Sequence, residues 1–214
     1  MFASVSDLVR GTDGVRRCAW GESTPDYVAY HDDEWGRPVV DDTRLYEKLC
    51  LEGFQSGLSW LTILRKRENF RRAFAGFDAQ KVARFGKRDI NRLLHDAGIV
   101  RNRGKIEAAI ANARAIVAVE EQHGSLAALC WSFEPKRRKA PHVFADLASK
   151  TPESAGLSKA LLRLGFRFVG PTTVYATMQS TGIVNDHLVG CAARARCEAE
   201  RKALARPRAP SRSS

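Results

Sequence analysis

No apolar run in this chain approaches the roughly 18–20 residues that a membrane span requires, so no membrane partner is expected. The stretch from Met1 to Arg16 carries charges and lacks an apolar signal core, which predicts a cytoplasmic protein. Cysteine is sparse and odd in number, five in 214 residues. That excludes a closed disulfide framework and points to free thiols or metal ligands in a reducing compartment. Alternating strand patterns are nearly absent, and no self-similarity recurs at a solenoid period. Acidic residues are in deficit, 24 against 35 Lys and Arg, for a net charge of +11. Clustered cations suit a polyanionic partner, because they bind phosphates and release counterions. Part of the excess sits in residues 192–214, where seven Lys or Arg face two Glu before a Pro/Ser-rich end. That segment is expected to be a disordered basic tail.

What is present is helical spacing. Asp41-Asp42-Thr43 offers caps for a helix with Leu45 and Leu49 on one face, stopped by Gly53. Ser59 starts a second, with Trp60, Ile63, Leu64, Phe70 and Phe74. Further helices are predicted from Asp89 to Gly98, from Gly104 through Val117, over 158–164 and over 171–180. The pattern predicts an all-α fold. Between the last two lies a glycine-bounded link, Leu164 to Thr173. Gly170 is suited to positive φ and Pro171 to a first helical position. The amides of that helix start would suit a phosphate, although an ordinary αα-turn has the same signature.

Two Cys/His pairs stand at opposite ends of the chain. Cys18 and His31 lie across a twelve-residue gap, and His187 and Cys191 would share a face if helical. Together they would make a closed Cys₂His₂ set with no position for an activated water, hence a structural site. Either pair alone is weak evidence. Cys50 and Cys130 read as core, and His95, His123 and His142 as surface or loop residues.

Trp20, Trp35 and Trp60 fall close together, interleaved with Tyr27 and Tyr30, and any one of them would by default be core. Their company argues otherwise. Tyr27 to Gly36 is too acidic and irregular for a packed helix face. Glu52 ends an apolar helix, where a charge is costly unless it meets a polar ligand. Rings that stack on a heterocycle and a carboxylate that accepts from an amino group make a base-reading pocket.

At Arg17-Cys18-Ala19-Trp20, Tyr30 to Gly36, Leu51-Glu52-Gly53 with Gly57 to Trp60, Asp96 to Ile99, Arg103 to Ile106, Gly165 to Gly170 and Asn185 to Cys191, the chain resembles the 3-methyladenine DNA glycosylase I family. This is a branch of the helix-hairpin-helix glycosylase superfamily. The match covers residues 17–191 as a glycosylase domain, leaving 1–16 as an N-terminal extension and 192–214 as the tail. The resemblance implies two helical lobes with the base pocket between them. It implies one structural zinc on Cys18, His31, His187 and Cys191, joining the N- and C-terminal segments. Glu52, Tyr30 and Trp60 would hold the base, with Trp20, Tyr27 and Trp35 lining the cavity. Gly165 and Gly170, with Thr172 in the following turn, would contact the DNA backbone, and Leu58 would form part of the wedge. Many superfamily members carry an aspartate where Asn185 stands here, and its absence fits this branch. No lysine stands by the hairpin for a Schiff base. Phe54 and the basic loop Lys136 to Lys139 receive no role.

The expected activity is hydrolytic excision of 3-methyladenine from alkylated double-stranded DNA by a monomer, without strand cleavage. A zinc-stapled DNA-binding module without catalysis is the alternative, and it leaves the carboxylate among aromatics unexplained. A zinc hydrolase fits less well, since four protein ligands leave no open coordination position.

Overall fold

Short polar residues begin most of the helices, which are ten among the described residues. The structure, a computed structural model, describes residues 7–208. After an antiparallel hairpin of β1 (Leu8–Arg10) and β2 (Arg16–Cys18) come α1 (Pro25–Asp33), α2 (Asp42–Gln55), α3 (Trp60–Ala73), α4 (Ala79–Val82) and α5 (Lys87–His95). They are followed by α6 (Arg103–His123), α7 (Leu126–Trp131), α8 (Pro152–Arg163), α9 (Pro171–Ser180) and α10 (Ala192–Ala203). Thr24, Asp41, Ser59, Asn102 and Thr151 each accept a first-turn N–H through the side chain, satisfying donors that have no partner within the helix. Asp41 and Ser59 start their helices as expected, and α9 has the expected bounds. Helix α2 continues past Gly53 to Gln55, which places Glu52 inside it rather than at its end.

The main core is continuous. Buried side chains of α2, α3, α6, α7, α8 and α9 join it, including Phe54, Phe70, Phe74, Leu161 and Met178. Phe54 is therefore a core residue, as are Cys50 and Cys130, whose thiols burial pushes up to about 12. Helix α2 packs on α3, α6 and α7 as well as on α9, so it forms the seam between the two helical lobes. A small second core gathers Cys18, Leu188, Cys191 and Ala193, with Leu8 and Trp20 against it, where the two ends of the chain meet.

Four further expectations are corrected. Residues 8–16 are not a separate extension, because β1 pairs with β2 and Leu8 packs on the second core. Residues 192–203 form α10 rather than a disordered tail. Its buried stripe is Ala193 and Cys197, one turn apart, and Arg37 pairs with Glu200 across it at 2.6 Å. Residues 185–191 are not helical; they form a turn in which the Cys191 N–H donates to the Leu188 carbonyl and Gly190 takes φ +93°. Finally, Gly170 sits at φ −61°, and the positive φ of the link belongs to Gly165 and Phe168. His95 and His142 are exposed as expected. The His123 side chain and residues 1–6 and 209–214 lie outside the described residues.

Candidate metal centre and base cavity

Cys18, His31, His187 and Cys191 converge with their ligand atoms all within 4.8 Å of one another, and all four are buried. Cys191 Sγ lies 3.4 Å from His31 Nε2 and 3.6 Å from His187 Nδ1, and Cys18 Sγ lies 4.0 Å from His187 Nδ1. A tetrahedral metal bound at 2.0–2.3 Å sets its ligand atoms about 3.5 Å apart, so the donor set fits one. The outer nitrogens fix the tautomers. His187 Nε2–H donates to the Trp35 carbonyl at 2.9 Å, and His31 Nδ1–H donates to Asp32 at 2.7 Å. Each ring thus turns a lone pair inward. Asp32 is held in turn by the buried Arg17, Nη2 to Oδ2 at 2.7 Å. The Cys18 thiol and, against burial, the two imidazoles hold the Cys191 thiol far below its usual range. Gly21 permits the packing, since a Cβ there would lie 2.6 Å from the His31 ring.

Beside this cluster opens a cavity of about 320 Å³ lined by Trp20, Tyr27, Tyr30, Trp35, Glu52 and Trp60, and also by Gln55, Phe144, Leu147, Ala176 and Gln179. The structure brings all six predicted base-binding and catalytic residues to one wall set. Tyr30 and Trp60 lie 5.4 Å apart at 43°, and Trp20 meets Tyr27 edge-on at 5.8 Å and Trp35 at 5.0 Å. Trp35 also packs edge-on against His187 at 4.8 Å, so the metal-type cluster braces the cavity wall. The Trp60 Nε1–H is buried without a hydrogen-bond partner.

Charge is concentrated behind these rings. Glu52 is 7% exposed, and burial pushes its carboxyl up to about 7, with Lys48 and Ser180 pulling the other way. Lys48 stands one turn earlier on α2, is 5% exposed, and places Nζ 5.5 Å from the Tyr30 ring centroid. Burial pushes it down to about 8 against the attraction of Glu34 and Glu52. Glu34 forms a two-pronged pair with Arg67, both contacts 2.7 Å. The sequence argument found Glu52 but missed Lys48. Its signal was present, a lysine one helical turn before the carboxylate on the same face, with only Leu49, Cys50 and Leu51 between them.

The link between α8 and α9 is rigidly held. Asn112 of α6 clasps Arg167, accepting its N–H at 2.7 Å and donating to its carbonyl at 3.2 Å. Ser158 donates to the Val169 carbonyl at 2.6 Å. Gly165, Gly170 and Thr172 are exposed. Nothing lies within 4 Å of a Cβ built at Gly170, which leaves room for a close approach to the first amides of α9. Leu58 is 42% exposed on the turn between α2 and α3. Lys105 fixes that turn by donating to the carbonyls of Phe54 and Ser56 at 2.9 and 2.6 Å. Asn185 does not line this cavity; its amide donates to the Arg194 carbonyl at 3.1 Å and to Glu198 at 3.3 Å, both on α10. The neighbouring Asp186 is the one tied to the cavity, accepting from Gln179 at 2.8 Å. No helix among the described residues is long and apolar enough to cross a membrane.

The family model for methyladenine glycosylases matches residues 20–195. DNA-3-methyladenine glycosylase 1 of Escherichia coli (strain K12) is 48% identical over 180 residues, spanning 83% of this chain and 96% of that protein. A crystal structure of 3-methyladenine DNA glycosylase I superposes with a TM-score of 0.79 at 47% identity, covering 82% of this chain and 98% of the other. The Staphylococcus aureus 3-methyladenine DNA glycosylase I, described in terms of its 3-methyladenine recognition, gives a TM-score of 0.79 at 36% identity over 83% of this chain and 96% of its own.

Proposed function

The chain belongs to the methyladenine glycosylase family, and on that premise we propose that it excises 3-methyladenine from alkylated double-stranded DNA by hydrolysis of the N-glycosidic bond. One observation carries the reading to this cavity: a nearly buried carboxylate, Glu52, set among aromatic rings. A non-catalytic DNA-binding module has no use for a group so costly to bury.

The chemistry asks little of the protein. Methylation at N3 leaves the base cationic, so when the bond to the sugar breaks, the electron pair neutralises the ring and a neutral heterocycle departs. Water adds to the sugar carbon and releases its proton to solvent. The cavity's task is to accept the flipped nucleotide and choose the right base. Tyr30 and Trp60 stack on it, with Trp20, Tyr27 and Trp35 completing the walls. Glu52 accepts from the exocyclic amine, and the arriving cation draws its proton off, since a nearby positive charge favours the carboxylate. The unpartnered Trp60 N–H is available to a ring nitrogen.

Gly165 and Gly170 with Thr172 hold the DNA backbone at the start of α9, and Leu58 enters the stack left by the extruded base. Cys18, His31, His187 and Cys191 hold one structural zinc. When bound, zinc supplies folding free energy by joining the chain ends, and it has no open position for chemistry. The protein acts as a monomer without lyase activity on this reading, and its five cysteines, none in a disulfide, suit the reducing cytoplasm.

The test is to incubate globally methylated duplex DNA with the protein and separate the released bases by chromatography. 3-Methyladenine is the expected product, lost in Glu52→Ala. A folded, metal-loaded protein that releases no base would overturn the reading.

A further inference from the structure

The basic loop that the sequence left without a role is held against α9 by an unusual tether. Arg138 pairs with the fully buried carboxylate of Asp186 at 2.6 Å, lies 5.4 Å from the Tyr175 ring centroid, and donates to the Tyr175 hydroxyl. Asp186 also accepts from that hydroxyl at 2.6 Å and from Gln179, a wall of the base cavity, at 2.8 Å. The neighbours of Arg138 are left over. Lys136, Arg137 and Lys139 are exposed and form no ion pair among the described residues. They overhang a cavity of about 290 Å³ between the loop and α10. Its two carboxylates are already engaged, Glu134 by Arg201 and Arg206 and Glu198 by Arg201.

We propose that Lys136, Arg137 and Lys139 form a second contact to the DNA backbone, taking phosphates of the strand that flanks the flipped nucleotide. The proposal rests on the glycosylase reading for the identity of the polyanion. Placement supports it. Phe144 lines the base cavity five residues beyond Lys139, a span of at most about 17 Å. Measured along the helix axis, that distance spans about five phosphates of one strand. The tether to Tyr175 joins the loop to the same helix that begins at the hairpin, so both contacts move as one body. A mobile basic loop would gain less, because immobilising long side chains on binding costs entropy.

The experiment measures affinity for undamaged duplex as a function of salt. Each phosphate contact contributes about 0.9 to the slope of log K against log salt, so replacing Lys136, Arg137 and Lys139 together by Ala should lower the slope by about 2 to 3. The control removes the same charge elsewhere, with Arg84, Lys87 and Arg88 replaced by Ala, and should change the slope by less than about 1. An unchanged slope in the loop variant, or an equal fall in the control, overturns the proposal. Base release by the unmodified protein is measured in parallel. Failure there removes the glycosylase reading, while the slope comparison still decides whether the loop binds duplex.

Discussion

Lys48→Met separates charge from packing behind the base cavity. Methionine keeps the length and most of the volume of the side chain while removing the ammonium. In the parent that ammonium opposes the effect of burial on Glu52, which stands one turn away on the same helix face. At about 6 Å and an effective dielectric of about 20 the pair is worth about 3 kcal/mol, or about two pH units. Water in the open cavity trims this, so a rise of about one to two pH units is expected in the acid limb of kcat/KM, which reports the free enzyme. The other charges facing Lys48 reinforce the direction. Glu34 stays in place, and although Arg67 and Arg44 hold it, it loses one of its compensating cations.

At pH 7 the ionised fraction of Glu52 should fall from about a half to between about a tenth and a hundredth, lowering kcat/KM for 3-methyladenine release about 5- to 50-fold. Above pH 8 the parent's own Lys48 is losing its proton, and the two proteins should converge. The melting temperature at pH 7 should hold or rise, because the costly buried ammonium is gone and Glu52, without its partner, stays protonated instead of charged. The assay is base release from methylated DNA between pH 5.5 and 9.5, at about one-half unit intervals fine enough to place the limb. A uniformly slower variant with an unmoved acid limb would refute the reasoning and leave Lys48 a packing residue.

Glu52→Gln should narrow the preference for 3-methyladenine over 7-methylguanine, because guanine presents a carbonyl where adenine presents an amine, and the amide offers that carbonyl a donor which the carboxylate formed beside a cationic base lacks. Quantifying both bases tests this, and equal release by the unmodified protein would remove Glu52 as the selector, since an unpaired buried carboxylate costs about 1–3 kcal/mol or more. The same variant should be stabilised at pH 8 but not at pH 4. Burial raises the folded pKa from 4.5 to about 7, so the folded chain retains a proton that the unfolded chain sheds, and stability falls by up to about 3 kcal/mol as pH rises through that window. Calorimetry at the two pH values checks the sign. Cys191→Ala should lose metal and thermal stability together, while elemental analysis of the native protein should find one zinc per chain; native protein without metal would defeat the assignment. Gly170→Asp should weaken duplex binding at least tenfold by setting a carboxylate where a phosphate must approach, and unchanged affinity would exclude the hairpin from the interface.

The parts of this molecule legible in the sequence are those fixed by residue type and local spacing. Helix starts followed from Asp41, Ser59 and Pro171, because a cap satisfies donors within its own first turn. Residues whose chemistry is distinctive, Cys18, His31, His187, Cys191 and Glu52, could be picked out before their neighbours were known. Contacts made at long range could not. Helix α10 looked like a disordered tail because its charges dominate the composition. Its ordering depends on Arg37, more than 160 residues before Glu200, and on Glu134, which lies far from Arg201 in sequence. The four-residue step from His187 to Cys191 suited a helix and turned out to be a turn closed by Gly190, since spacing alone cannot distinguish two ways of bringing side chains together. Phe144 and Leu147 carry no periodic signal at all, yet they line the cavity.

Lys48 is the instructive omission, because its signal was of the same kind as that of Glu52. A charge in an apolar helical run is costly wherever it points, so a second one on the same face calls for an explanation as much as the first. Here each makes the other tolerable. Burial pushes Glu52 up and Lys48 down; Lys48 pulls Glu52 back to about 7, while Glu34 first and Glu52 second hold Lys48 at about 8. A carboxylate held near 7 has a use that a fully ionised one lacks. In the empty cavity much of it is uncharged, which lowers the cost of an unpaired buried ion, and a cationic base then draws out the charge that binds it. A neutral base has no such effect. On the proposed reading, undamaged adenine would enter and stack on Tyr30 and Trp60 and leave the carboxyl about half protonated at pH 7. Discrimination between damaged and normal adenine would then come from the ionisation of Glu52 as well as from the weakness of the bond being broken.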